Sequence, residues 1–393
     1  MGKKLVIGMF GFGVVGQGLY DIIKTKDLNL TIKKFVIKNA AKERSLPADL
    51  FTTDAQSVLN DPEINTILEL IDDADAAFAI TKQALESGKN VVSANKKMIA
   101  THLEELVQLQ QQHGTSLLYE GAVCGSIPII RNLEEYYDNE LLHAVSGIFN
   151  GSSNYILSKI FNENQSYDDA LRKAQELGFA ETDPTLDVGG YDPKFKLAIV
   201  ASHAYGIYVN PDHILNLGID KLGEQDIRFA KEKGYRIKLV PQAKEIDNKN
   251  VVLYVLPKFI AKDHILANVE NENNGVLVQA AFADQQFFYG KGAGGHPTGS
   301  AVLSDITALR YGYKYEYKKH IDADQIKYTT DYKLKVYLRY KSDDIIDKLH
   351  FDNISERFYG EDFKYIIGEI NLNQIITHKE LINQNGNFLA VIS

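Results

Sequence analysis

A short apolar run, Leu5-Val6-Ile7-Gly8-Met9, leads directly into Gly11-Phe12-Gly13-Val14-Val15-Gly16, and a helical pattern follows. No other feature of this chain restricts its fold so strongly. The three glycines permit a tight strand-to-helix turn and let the backbone approach a pyrophosphate seated on the helix N-terminus. Ordinary turns share such patterns; the strand before and the helix after give this one its weight. Gly11, Phe12, Gly13, Val14, Val15 and Gly16 are therefore the expected dinucleotide contacts.

The same alternation continues. Residues 31–37, 67–71, 91–92 and 117–119 read as strands, and 74–87 and 102–113 as helices stopped by Gly88 and Gly114. Strands alternating with helices mean βαβ units and a parallel sheet. From about Leu142 the character changes to α+β, with strands expected at 142–149, 236–242, 251–260 and 275–282. Helices are expected there at 153–161, 167–177 and 194–205. A glycine-rich run, 290–299, leads into a helix at 301–310 that returns to the first domain. The tail from Tyr311 is rich in tyrosine and lysine, with strands at 332–340, 365–371 and 388–392 and a helix at 374–384. The expected division is 1–130 (completed by about 290–310), 131–310 and 311–393.

The formal net charge of -9 argues against nucleic acid or an acidic membrane as partner, although a local basic pocket is compatible with it. The single cysteine, Cys124, excludes an internal disulfide and a multi-cysteine metal site, and fits a reducing cytoplasm. Met1-Gly2-Lys3-Lys4 looks like the opening of a signal peptide, but glycines break the apolar run that follows. No apolar segment is long enough to span a bilayer.

Chemistry concentrates in four places. The end of the second strand, where an acid commonly holds the adenosine ribose, reads Ile37-Lys38-Asn39, with Lys42 and Arg44 beyond. Lys38 and Arg44 can pair with a 2′-phosphate that a carboxylate would repel, which favours NADP, with NAD the alternative; solvated loop cations are the competing reading. Lys96 and Glu120 follow strands, where ligands of open α/β sheets lie. Glu120 stands in the nearly uncharged stretch Tyr119 through Pro128 and so needs a cation, donors or a metal. Glycines nearby can turn carbonyls toward a hard cation. Finally, residues 181–196 gather Glu181, Asp183, Asp187, Asp192 and Lys196. Asp192 and Lys196 are four apart and share a helix face. Asp192 also precedes Pro193, as an N-cap would. A solvated loop carries the same charges with no function, so this stretch alone leaves the question even. His203 reads as a core residue and Cys124 as a small buried apolar one.

Taken in order, Gly11 through Gly16, Ser93-Ala94-Asn95-Lys96, Tyr119 through Pro128, Asn150-Gly151-Ser152-Ser153-Asn154-Tyr155-Ile156-Leu157, Glu181 through Lys196, and Gly290-Lys291-Gly292-Ala293-Gly294 with Pro297-Thr298 resemble the homoserine dehydrogenase family. The resemblance covers roughly the first 310 residues. It implies a Rossmann-type parallel-sheet domain, an α+β domain for substrate binding and homodimerisation, and NAD(P)H-dependent reduction of L-aspartate 4-semialdehyde to L-homoserine. It makes Lys196 the proton donor to the aldehyde oxygen and Lys96 an alternative relay or cofactor contact. Glu181 and Asp187 would hold the substrate ammonium, and Asp192 would orient Lys196. Gly178 and Gly292 match cofactor-contact positions. Glu120 matches the acid of a monovalent-cation site, sodium by analogy, completed by carbonyls of Val123, Gly125 and Ile127. The chemistry agrees: hydride arriving at an aldehyde creates an alkoxide, which needs a proton or a positive charge in place.

Two departures stand out. Asp72-Asp73 occupies a place where the family usually has a glycine pair, and the pair either faces solvent or caps the next helix. The tail has the order of a regulatory ACT module but carries Lys341-Ser342-Asp343-Asp344 instead of a Gly/Pro ligand turn, so weak or absent amino-acid inhibition is expected. The rival readings are a dehydrogenase of another amino-acid semialdehyde and a catalytically weakened NADP-binding sensor.

Overall fold

The computed structural model describes residues 2–25, 28–138, 141–247, 249–320, 326–361 and 363–392. They form two compact units, residues 1–138 with 290–318, and 139–289 with 319–393. The first unit thus runs to 138 and closes at 318, where the sequence pattern suggested 130 and 310.

In the first unit, β1 (Leu5–Phe10), β2 (Leu30–Val36), β3 (Phe51–Thr52), β4 (Thr66–Glu69), β5 (Asn90–Ser93) and β6 (Leu117–Leu118) form a sheet in the order β3-β2-β1-β4-β5-β6. Every pairing is parallel. The central strands β1, β4 and β5 are largely buried apolar runs rather than alternating ones, as in a parallel sheet covered on both faces. Leu5, Ile7, Met9, Ile67, Leu68, Val91 and Val92 are completely buried. The strand order reverses between β1 and β4, and such a switch point opens a crevice at the carboxyl ends of the strands.

Helix Val14–Lys24 follows β1, and helix Gly295–Leu309 packs against it. Glycine is required at that contact. A Cβ on Gly18 would lie 2.2 Å from the Gly295 carbonyl carbon, and one on Gly299 would lie 2.7 Å from the Leu19 nitrogen. The 290–299 run therefore serves helix packing as well as chain reversal.

The second unit is built on a mixed sheet of 11 strands among the described residues. These are β7 (Leu142–Ile148), β8 (Leu215–Asn216), β9 (Tyr235–Glu245), β10 (Asn250–Ala261), β11 (Asn273–Ala280), β12 (Asp284–Lys291), β13 (Lys327–Tyr328), β14 (Lys333–Tyr340), β15 (Phe351–Tyr359), β16 (Lys364–Asn371) and β17 (Phe388–Ile392). The main path is β12-β11-β7-β9-β10-β17-β14-β16-β15. Long β10 pairs with β9 along one edge, while its other edge is taken in turn by β13, β8 and β17.

The tail runs β14, helix Asp344–Lys348, β15, β16, helices Leu372–Thr377 and Lys379–Ile382, and β17. Its strands lie in the order β17-β14-β16-β15, a split βαβ arrangement. Residues 374–384 are thus two short helices, not one, and β15, like β12 at the opposite edge of the sheet, is an element the sequence pattern did not reveal. The tail shares one hydrophobic core with β8 and β10: Leu215, Val252, Tyr254, Val336, Leu338, Ile366 and Leu389 are all nearly inaccessible. A buried ion pair adds to this attachment. Arg339 donates Nε to Asp226 Oδ1 at 2.8 Å and Nη2 to Oδ2 at 2.9 Å, and the Tyr337 hydroxyl donates to the same carboxylate at 3.0 Å. Among the described residues no helix is long and apolar enough to cross a membrane.

Candidate active site

The glycine turn follows the strand as the sequence required. Gly11 has φ +92°, and a Cβ there would lie 2.4 Å from the Leu70 carbonyl oxygen. Gly13 is the N-cap of helix Val14–Lys24, and a Cβ on it would meet no described atom within 4 Å. Packing does not demand glycine there, whereas close approach of a ligand to the helix N-terminus would. The Phe12 side chain is buried among Phe35, Phe51 and Tyr20, with ring centroids 4.9, 5.5 and 6.1 Å away. Its ring is thus engaged in an aromatic cluster.

Beyond β2 lies a cavity of about 670 Å³ lined by Ile37, Ala41, Arg44, Phe51 and Thr52, among others. Arg44 donates to the carbonyls of Lys42 and Asn39 at 2.6 and 2.9 Å, and its guanidinium sits 5.2 Å from the Phe51 ring centroid. Lys38 is exposed. Asp73 caps helix Ala74–Glu86 by accepting from Ala76 N at 2.9 Å, and Asp72 is exposed. The acidic pair therefore takes the capping and solvent-facing roles.

Lys96 is the first residue of helix Lys96–His113, which is capped by Asn95 (Met98 N to Asn95 Oδ1, 2.9 Å). Capping thus starts this helix at 96, ahead of the start expected at 102. Glu120 follows β6 and is buried. Its two oxygens accept from the amides of Ile130 and Arg131 at 2.8 and 3.0 Å. Its own N–H donates to Asp305 at 2.8 Å, and Asp305 pairs with Arg131 at 2.7 Å. Burial, reinforced by the Asp305 charge, pushes the Glu120 carboxyl up to about 8; burial pushes Asp305 to about 6. Successive left-handed residues, Cys124 (φ 53°) and Gly125 (φ 57°), turn the loop that follows. A Cβ on Gly125 would lie 2.6 Å from the Gly292 carbonyl carbon, so Gly292 backs this loop. No cluster of three or more His, Cys, Asp or Glu side chains suited to a metal occurs among the described residues.

The second unit holds the lysine. Helix Tyr191–Tyr205 is N-capped by Gly190 (φ +79°). Asp192 is therefore not the cap: it lies inside the first turn, and its side chain turns to Lys196 instead. Lys196 Nζ donates to Asp192 Oδ2 and to the Phe149 carbonyl, each at 2.7 Å, and the two side chains are only 9% and 4% exposed. Asn150 joins them. Its Oδ1 caps helix Gly151–Glu163 through Ser153 N at 2.8 Å, while Nδ2 reaches Asp187 at 2.6 Å and Asp192 at 3.0 Å. Asn before a Gly-Ser-Ser helix start is legible as a cap, but nothing local reveals the second set of contacts. Asn154 serves the scaffold. Its amide binds the carbonyls of Val269 and Asn271 at 3.0 and 2.7 Å, and its oxygen accepts from Lys238 at 2.9 Å. Glu181 is exposed and lies outside the Asn150–Asp192–Lys196 hydrogen-bonded group. Gly178 (φ +73°) ends helix Tyr167–Glu176, which explains glycine there without a ligand.

A parallel sheet in this order, with a glycine turn opening the first helix, defines a dinucleotide-binding protein. Family models extend the assignment: one described as homoserine dehydrogenase, NAD binding domain, matches residues 11–120, and one described as homoserine dehydrogenase matches residues 128–307. The homoserine dehydrogenase of Bacillus subtilis is 36% identical over 78% of this chain and 73% of its own length. That of Lactococcus lactis is 32% identical over 97% and 89%. The crystal structure of a homoserine dehydrogenase from Thiobacillus denitrificans superimposes with a TM-score of 0.85 at 30% identity, covering 100% of this chain and 98% of that one. The chain belongs to the homoserine dehydrogenase family and is an NAD(P)-dependent oxidoreductase acting on a CH–OH group.

Proposed function

We propose that the chain interconverts L-aspartate 4-semialdehyde and L-homoserine, with Lys196 as the proton donor in the reducing direction. The observation that carries this reading is the buried lysine held at 2.7 Å by both Asp192 and the Phe149 carbonyl. Two N–H groups of a three-donor ammonium are fixed in this way, so the third has a defined direction toward a nascent alkoxide. Asp192 orients the lysine, and Asn150 restrains Asp192 and Asp187 together. Asp187, partly buried, is the carboxylate best supported as a substrate-ammonium partner; exposed Glu181 would have to act from the surface.

The bound nicotinamide supplies or accepts the hydride. Gly11, Gly13, Val14, Val15, Gly16 and the Phe12 backbone would hold its pyrophosphate at the helix N-terminus. Arg44 and Lys38 favour NADP, Lys96 stands at the crevice as a second proton relay or cofactor contact, and Gly178 and Gly292 are further contact positions. The residues also fit a monovalent cation, sodium by resemblance. Glu120 and Asp305 are two buried carboxylates beside Arg131, and a cation on Glu120 and the carbonyls of Val123, Gly125 and Ile127 would offset the remaining charge. Homodimerisation is supported by the second unit, where β12 forms a sheet edge and Phe282, Leu141 and Tyr289 are exposed. A cytoplasmic setting accords with the lone buried Cys124.

The test is homoserine oxidation followed by reduced-nicotinamide absorbance, with NADP and NAD in parallel, for wild type, Lys196→Ala and Lys96→Ala. NADP-linked turnover lost in Lys196→Ala and reduced in Lys96→Ala is expected. A fully active Lys196→Ala variant would remove the proposed donor.

A further inference from the structure

Glu69, the last residue of β4, is completely buried and no step proposed above uses it. Its carboxylate is spent on its neighbours. Oε1 accepts from Ile71 N at 2.9 Å and Oε2 from the Ser93 hydroxyl at 2.5 Å. Ser93 ends β5, and its oxygen accepts from Asn95 N at 3.0 Å. Asn95 returns the connection: its amide donates to the Ile71 carbonyl at 3.0 Å, while its oxygen caps the helix that begins at Lys96. Ile71 is thus gripped at its N–H by Glu69 and at its C=O by Asn95. The Glu69 carbonyl accepts from Ala94 N at 3.3 Å, and Leu70 N donates to Phe10 O at 2.9 Å. Leu70 also closes on Gly11, whose absent Cβ would lie 2.4 Å from the Leu70 oxygen.

We propose that Glu69, acting through Ser93 and Asn95, is a positioning residue that fixes the 70–72 turn and the start of the Lys96 helix against the glycine turn. This rests on the reading that the cofactor lies at the carboxyl ends of these strands. The three segments so joined are the ones a dinucleotide must meet there. The chemistry of the site explains why an acid is kept in an apolar setting. Two donors arrive at two different oxygens, and an ionised carboxylate is an acceptor at both. Glutamine would set an NH2 group against one of them. Burial, with Asp72 nearby, pushes the Glu69 carboxyl up to about 7, so the acid is held there at a cost. The clamp fixes the path of a turn in which Asp72 is exposed while the Ile71 side chain packs toward Gly11. Glu69 touches no reacting atom in this scheme; it sets where Lys96 and the turn are.

The experiment uses the full chain and the variants Glu69→Gln, Ser93→Ala, their double mutant and Ser93→Thr. It measures kcat, KM for homoserine, KM for NADP, the dissociation constant for NADPH by fluorescence titration, and thermal melting. Each single substitution is expected to lower kcat/KM for NADP by about 5–20-fold while KM for homoserine stays within about twofold. The double mutant should be no worse than the poorer single one, because both break one connection. Ser93→Thr, which keeps the hydroxyl, should restore kcat/KM to within about twofold of wild type. Unchanged NADPH affinity and kcat in both single variants would overturn the proposal. So would losses that multiply in the double mutant. NADPH binding is read directly, so failure of wild type to oxidise homoserine would count against the proposed reaction and leave the clamp to be judged by the binding series.

Discussion

Replacing Asp192 by asparagine tests the centre of the second unit with little change of shape. One oxygen, Oδ2, accepts from both Lys196 at 2.7 Å and Asn150 at 3.0 Å. An asparagine oxygen in that place can accept both bonds, so the substitution removes charge and leaves geometry. At 2.7 Å and an effective dielectric near 20 the gross attraction is about 6 kcal/mol, most of it offset by desolvation of the two buried groups. Leaving a buried ammonium without its counter-charge costs about 3–5 kcal/mol of stability. Losing the counter-charge also weakens the lysine as a general acid toward the developing alkoxide, a role worth on the order of 10²-fold in kcat. The assay is NADPH-dependent reduction of aspartate semialdehyde beside a melting curve. Expected are a kcat lower by about 10²-fold, a lowered melting temperature and an NADPH KM within about twofold of wild type. A kcat within about threefold of wild type with unchanged melting would refute the assignment of Asp192.

Other consequences are equally open to measurement. Arg44→Gln should lower the NADP-to-NAD ratio of kcat/KM by about tenfold, and an equal loss with both cofactors would deny Arg44 a 2′-phosphate role. Glu69 binds its proton more tightly folded (about 7) than unfolded (about 4.5), so its contribution to stability falls as pH rises through that window, by roughly 3 kcal/mol in all. Glu69→Gln should therefore flatten the stability curve between those pH values, and parallel wild-type and variant curves would contradict the burial argument. Asp226→Asn, which leaves Arg339 buried without its carboxylate, should cost about 3–5 kcal/mol in chemical denaturation while kcat at low temperature holds. Unaltered stability would show that the tail does not depend on that pair.

The first unit was largely legible because its signals are local. Apolar strands, a glycine turn and helix stops at Gly88 and Gly114 each occupy a few consecutive residues. In the second unit the same signals found the buried strands β7, β9, β10 and β11 but missed β12 and β15, which lie at the two edges of the sheet and whose largely exposed residues give no buried apolar run. Spacing brought Asp192 and Lys196 to one face, and they do meet there; it misplaced the cap because a left-handed Gly190 opens the helix two residues earlier. Asn150 reaches Asp187 and Asp192 across 37 and 42 residues of chain, and Glu69 reaches Ser93 across 24. Such long-range polar contacts leave no periodic trace, and for this reason neither Asn150 nor Glu69 stood out.

Because β17, the final strand, is hydrogen-bonded to β10 through Lys258–Val391 and Phe259–Ile392 and to β14 beyond it, the tail is woven into the second unit. It is not a detachable accessory. Cutting the chain before β14 would strip β10 of a neighbour and expose the faces of Val252, Tyr254 and Leu256 that the tail covers. A truncated protein would thus report on damaged folding, not on lost regulation. The second unit should melt as one cooperative body, and protease cleavage between helix Tyr191–Tyr205 and its last strand should inactivate the enzyme without liberating a stable fragment.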